Sequence, residues 1–123
     1  MPSNPSSYVN AATLAEILCI FKPDGVNPPA RDTTGDNSAI TSVVFVSTGL
    51  WRITFTAPLP GTFLGATVAL QLTTSADSNL QVGPFVAGPP STLDIRNLTA
   101  GALANIATAA DNRIVVVATF KVA

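Results

Sequence analysis

Trp51, Ile53 and Phe55 alternate with Arg52, Thr54 and Thr56, the cleanest period-two stretch in the chain. One apolar and one polar face predicts a half-buried antiparallel strand. Just upstream, Ile40 to Ser47 holds Val43, Val44, Phe45 and Val46, a β-branched and aromatic cluster with poor helix preference. Ser47-Thr48-Gly49 lies between the two runs, so they predict a hairpin.

The same logic extends downstream. Pro58-Leu59-Pro60-Gly61 ends the second strand, because proline cannot donate to a ladder. Phe63 to Thr73 then alternates, with Leu64, Ala66, Val68, Leu70 and Leu72 expected on one face and Gly65, Thr67, Ala69, Gln71 and Thr73 on the other. Leu80 to Ala87 predicts a shorter strand at an edge or bulge, broken by Gly83-Pro84. Leu93 and Ile95 oppose Asp94 and Arg96 in a strand over about Thr92 to Leu98. Arg113 to Val122 contains Ile114-Val115-Val116-Val117, apolar on both faces, as expected of a central strand or one buried between subunits.

Three stretches are less regular. Met1 to Ala12 is rich in Pro, Ser and Asn and has no period, which suggests an extended arm, with residues 13–123 as a single domain. Leu14, Ile17, Leu18 and Phe21 fall at helical spacing, yet Ile17 to Phe21 is also a continuous apolar run before the Pro23-Asp24-Gly25 turn signal. Helix and strand both fit. Ala100 to Ala110 is alanine-rich and fits either a short helix or a long loop. Many short strands, rich in Thr and Val and separated by turns, predict an all-β fold: an antiparallel β-sandwich or jelly-roll-like barrel.

Charge changes the picture most. Only 11% of the 123 residues are charged, against roughly 25% in ordinary soluble domains. Such a surface is covered by Thr, Ser and Asn, or is buried against other copies. Six basic residues are spread thinly from Lys22 to Lys121, with a net charge of −1, so nothing supplies the electrostatic attraction that binds nucleic acid. No apolar stretch approaches the roughly 20 residues of a membrane-spanning helix, and the start lacks a signal peptide's basic and apolar regions. Neither nucleic acid nor membrane is an expected partner.

Candidate chemistry is sparse. The chain has no histidine, which removes the usual general base and the commonest metal ligand. Glu16 is the only glutamate, and the aspartates Asp24, Asp32, Asp36, Asp77, Asp94 and Asp111 fall mostly in predicted turns, where Asp caps backbone N–H groups. Asp32, Asp36 and Asn37 share a loop, but their spacing matches no EF-hand. Cys19, alone, sits in an apolar run and suits a buried core position. Trp51 could stack a sugar, but its apolar neighbours on the same face favour the core. The sequon Asn97-Leu98-Thr99 lacks a secretory context. No catalytic residue, metal or cofactor is expected.

Ser38-Ala39-Ile40-Thr41-Ser42-Val43 followed by Ser47-Thr48-Gly49-Leu50-Trp51-Arg52-Ile53-Thr54-Phe55-Thr56-Ala57-Pro58-Leu59-Pro60 resembles a pattern of tailed-bacteriophage virion proteins. There a Ser-Val strand, a Thr-Gly turn and an aromatic-polar-aliphatic-Thr-Phe-Thr strand precede a Pro-containing loop. Asp111-Asn112-Arg113-Ile114-Val115-Val116-Val117-Ala118 is similar to the closing strand of those proteins, and Ile17 to Gly25 to their first strand and turn. The resemblance spans roughly residues 14–122 and departs from the pattern over Ser75 to Ala110. It implies a strand at the ambiguous first segment and a trimeric β-sandwich or jelly-roll knob, found as a tail-fibre tip or a capsid decoration (cement) protein. It supplies no catalytic residues.

A fibre needs a shaft and an attachment region, for which 123 residues beginning at Met1 leave no room, so the expectation is decoration. The chain would be made in the host cytoplasm and sit on the virion surface, with its own copies and the major capsid protein as partners. Leu14, Ile17, Leu18, Phe21, Val115 and Val117 are the expected trimer interface, and Pro2, Ser3, Asn4, Pro5 and Tyr8 the expected capsid contacts. The alternative is a receptor- or carbohydrate-binding module that uses Trp51 or the loop near Asn79 and Gln81 to hold a host glycan.

Overall fold

The computed structural model describes residues 13–23, 39–74, 76–106 and 112–122. Within them the chain is all-β, with two antiparallel sheets packed face to face as a sandwich. The strands are β1 (Leu14–Phe21), β2 (Ile40–Ser47), β3 (Leu50–Phe55), β4 (Thr62–Gln71), β5 (Asn79–Val86), β6 (Thr92–Thr99), β7 (Ala102–Leu103) and β8 (Arg113–Lys121). One sheet has the order β1-β8-β4; the other has the order β2-β3-β6-β5, with the short β7 also pairing with β6.

The first segment is therefore a strand, and its helical spacing is coincidental. Leu14 to Phe21 pairs residue for residue with Lys121 to Ile114, without a break. β8 is the central strand of its sheet, as its apolar residues on both faces suggest: Ile114, Val116, Ala118 and Phe120 are buried in the core, while Val115 and Val117 lie on the opposite face.

β2 and β3 form the expected hairpin, in which Ser47 pairs with Leu50 across Thr48-Gly49. Gly49 has φ +68°, and an added Cβ would lie 2.7 Å from the Ala104 backbone nitrogen, so the turn is open only to glycine. The inward set of β3 is Trp51, Ile53 and Phe55, all buried. Aromatic rings bridge the two sheets. Phe21 of β1 meets Trp51 of β3 at 6.2 Å, and Phe120 of β8 meets Phe55 of β3 edge-on at 5.9 Å. Burial of such side chains is the main force holding the layers together.

β4 departs from simple alternation. A register irregularity between Phe63 and Gly65 shifts the strand by one residue. Phe63 then takes the inward position, stacked on Phe85 at 4.3 Å and edge-on to Phe120 at 5.7 Å, while Leu64 is 55% exposed. Leu64 does not share the inward face with Ala66, Val68, Leu70 and Leu72. A bulge allows this because an extra residue on one strand reverses the direction of those before it. β5 is an edge strand, as Gly83-Pro84 predicts, with its register broken between Val82 and Phe85.

The alanine-rich stretch begins as neither helix nor long loop. Ala100 (φ 52°) and Gly101 (φ 81°) form a two-residue turn into β7, where Thr99 pairs with Ala102. Asn97 anchors the chain just beyond β7. Its backbone N–H donates to the Gly49 carbonyl (2.9 Å), its carbonyl accepts from Ala104 N–H (3.1 Å), and its Nδ2 donates to the Ala104 carbonyl (2.9 Å). Residues 107–111, in and beside the alanine-rich stretch, lie outside the described residues.

Candidate interaction face

The sandwich has two outer faces. On the five-stranded sheet, Arg52 of β3 donates to Asp94 of the neighbouring β6 through Nε (2.7 Å to Oδ1) and a terminal nitrogen (3.1 Å to Oδ2). This bidentate pair raises the pKa of the guanidinium above its ordinary value, first through the hydrogen bond and then through the charge of Asp94. On the adjoining strand Arg96 donates to Gln81 Oε1 at 3.1 Å.

The outer face of the β1-β8-β4 sheet is different. Its register aligns Glu16, Thr119 and Gly65 in one row, Leu18, Val117 and Thr67 in the next, and Ile20, Val115 and Ala69 in a third. Arg113 pairs with Gln71 at one end, and Lys121 stands between Leu14 and Thr62 at the other. The Ile20–Val115–Ala69 row is apolar across all three strands, Thr67 alone is polar in the Leu18–Val117 row, and charge is confined to the ends of the face and to Glu16. Leu14, Leu18 and Leu64 are exposed, and Ile20, Val115 and Val117 half-buried. A water-facing sheet face normally carries polar residues. An apolar patch rimmed by charges is a candidate contact surface.

Four of the six residues expected at an oligomer interface are brought together here: Leu14, Leu18, Val115 and Val117. Ile17 and Phe21 are not, and that expectation is corrected. Both belong to the inward set of β1 with Cys19, and Phe21 has no exposed surface, so neither side chain can reach a partner. Sequence reasoning missed Ile20, which continues the outer row from Leu18, and Ala69 and Thr67, whose place on the same face follows from the alternation of β4. Pro2, Ser3, Asn4, Pro5 and Tyr8 lie outside the described residues, as do Asp32, Asp36 and Asn37.

Residues with candidate chemistry are occupied elsewhere. Trp51 is fully buried, so it cannot stack a sugar. The sequon residue Asn97 is also fully buried, and its amide is no glycan acceptor in the folded protein. Asp77 accepts from Ala100 N–H through Oδ2 (3.2 Å) and from Thr99 Oγ1 through its carbonyl (2.7 Å). It lines a groove of about 390 Å³ with Leu72, Thr73, Asn105 and Asn112. There Asn112 accepts from Thr73 N–H and Asn105 from Gly49 N–H, both at 2.8 Å, so these amides hold backbone in place. No group of three or more metal-ligating side chains occurs among the described residues.

Compared with known proteins, the chain matches no family model, no curated protein and no solved structure. The apolar face is thus the feature from which a function is argued.

Proposed function

We propose that this chain is a non-enzymatic structural protein of a virus particle, a capsid decoration protein that works as a homotrimer. The observation that carries the reading is the apolar outer face of the β1-β8-β4 sheet, where Leu18, Ile20, Val115, Val117 and Ala69 stand together. Covering such a face removes apolar surface from water, which favours assembly. The resemblance of the hairpin and the closing strand to phage virion proteins supplies the setting.

Decoration is a mechanical task that suits a surface poor in charge. Each trimer lies across a junction between major capsid proteins, and residues 1–12 grip the shell. Specific contacts of about 1,200–2,000 Å² each, repeated over the particle, oppose the outward pressure of packaged DNA. A histidine-free chain whose Asp77 and Asp94 hold other groups of the fold supports the non-enzymatic part of the reading.

The test is co-sedimentation of the purified protein with shells assembled from the major capsid protein of the same virus. The intact chain binds, and a variant lacking residues 1–12 remains a folded trimer that stays in the supernatant. A truncated protein that still decorates shells removes the role assigned to residues 1–12. An intact chain that never binds them removes the decoration reading.

A further inference from the structure

Among the described residues, one sheet ends in β1 and β4 and the other in β2 and β5. Three of these edge strands are interrupted. β4 breaks register between Phe63 and Gly65, β5 carries Gly83-Pro84 and a break between Val82 and Phe85, and β2 shifts register near both ends. Bulges and proline are devices that keep an edge from joining another strand. β1 has neither, and Leu14 to Phe21 follows β8 residue for residue.

The register shows which groups β1 leaves open. Val122 N–H donates to the Thr13 carbonyl at 2.7 Å, one step beyond the pair of Leu14 with Lys121. In an antiparallel ladder, successive residues turn their N–H and C=O alternately to one side and the other. Thr13, Ala15, Ile17, Cys19 and Phe21 therefore turn theirs to β8, and Leu14, Glu16, Leu18 and Ile20 turn theirs to the open edge. Side chains alternate as well. Pro23 is fully buried like Phe21, which sets Lys22 in the outer row with Glu16, Leu18 and Ile20.

We infer that this edge pairs with β1 of a second copy, antiparallel about a two-fold axis beside Cys19. An added strand has to be extended and apolar on both faces, to continue the inner row of Ile17, Cys19 and Phe21 and the outer row of Leu18 and Ile20. β1 is itself such a strand. Charge then selects the register. Outer residues have to meet outer residues, because a one-residue slip turns every side chain to the wrong face. Within that condition, one alignment sets Glu16 against Glu16 and is repelled. Two others set Glu16 against Leu18 or Ile20. The alignment centred on Cys19 sets Glu16 against Lys22 of the second copy, and the symmetry repeats the pair. It also sets Leu18 against Ile20 outside and Ile17 against Phe21 inside.

Glu16 and Lys22 meet only between copies, since six residues of strand hold them about 20 Å apart in one chain. Lys121 stands diagonal to Glu16, yet the ion pair among the described residues is Arg52 with Asp94. The contact is isologous and closes with two copies. It goes beyond the proposed function, because it uses the backbone of an edge and not the side chains of the outer face.

Amide hydrogen exchange in the full-length protein reads the edge directly. The Leu18 and Ile20 N–H groups exchange freely in dilute solution and slow about tenfold or more as concentration rises. Leu18→Pro removes an outward N–H that the single chain does not use, so the melting transition stays while association by sedimentation equilibrium weakens about a hundredfold or more. Glu16→Lys and Lys22→Glu each set like charges opposite one another and weaken association about tenfold. The double variant Glu16→Lys/Lys22→Glu restores the wild-type value to within about threefold. These two positions are on the surface, so the swap decides the matter even when Leu18→Pro does not fold. Outward amides that exchange equally fast at every concentration, or charge losses that add instead of cancelling, overturn the edge contact. Slowing that appears only when capsid shells are added gives the edge to the capsid protein and overturns self-pairing too. A trimer that forms without slowing these amides leaves the proposed function standing and removes this contact alone.

Discussion

On the five-stranded sheet the centre of the outer face is held by Arg52 on Asp94 and Arg96 on Gln81. The corresponding centre of the three-stranded sheet presents Leu18, Val117 and Thr67. Both faces cover one core, so burial of the core does not explain the difference. A salt bridge between two partly exposed side chains is worth little for stability, about 0–1 kcal/mol. It does, however, keep a face wet, because a carboxylate and a guanidinium resist losing their water. The difference between the faces therefore concerns what each may touch. The centre of one resists losing its water, though Val46 and Val86 stand exposed nearer its edges, and the centre of the other does not.

The contrast can be broken at several levels. The largest effect comes from the core that both faces share. Trp51→Ala removes a fully buried indole between Phe21 and Phe45 and should cost about 3–5 kcal/mol, enough to leave much of the protein unfolded in urea titrations at 25 °C. Next, Val117→Lys puts a charge in the middle of the dry face. Covering it should weaken self-association by about 3–5 kcal/mol, or about two to four orders of magnitude in Kd by analytical ultracentrifugation, with the fold intact. Thr54→Lys on the opposite sheet is the matched control and should leave the assembly unchanged.

Smaller effects sharpen the picture. Asn97→Ala strips the amide that donates to the Ala104 carbonyl and should cost about 1–3 kcal/mol, with the loss reported by hydrogen exchange around Gly49 and Ala104. Asp94→Ala should cost less than about 1 kcal/mol, and the difference from wild type should shrink in high salt. If Asp94→Ala instead drew the protein into a new oligomer, the account of that face as solvent-committed would fail.

Much of this sandwich is legible along the chain. Trp51, Ile53 and Phe55 declare their inward face because Arg52, Thr54 and Thr56 oppose them. Gly83-Pro84 declares an edge because proline cannot complete a ladder. β8, with aliphatic residues on both faces, declares a central strand. The features that stay hidden have a common cause. A strand that is apolar on both sides does not say which side faces in, and so Ile17 and Phe21 look as available to a partner as Leu14 and Leu18 do. Phe63 and Leu64 are equally ambiguous, since a bulge exchanges their faces without changing composition. The outer row of Leu18, Val117 and Thr67 joins residues about 50 positions apart and exists only once the register does.

Cys19 lies in β1 opposite Val116, with 1% of its surface exposed and no disulfide. As the only sulfhydryl on the polypeptide, it is a built-in clock for the opening of the first strand. A chromogenic thiol reagent can modify it only when the core over β1 opens, so the rate of colour development measures how often that happens. If copies associate through the outer face of β1, the clock slows as protein concentration rises, and assembly becomes visible through a single buried atom.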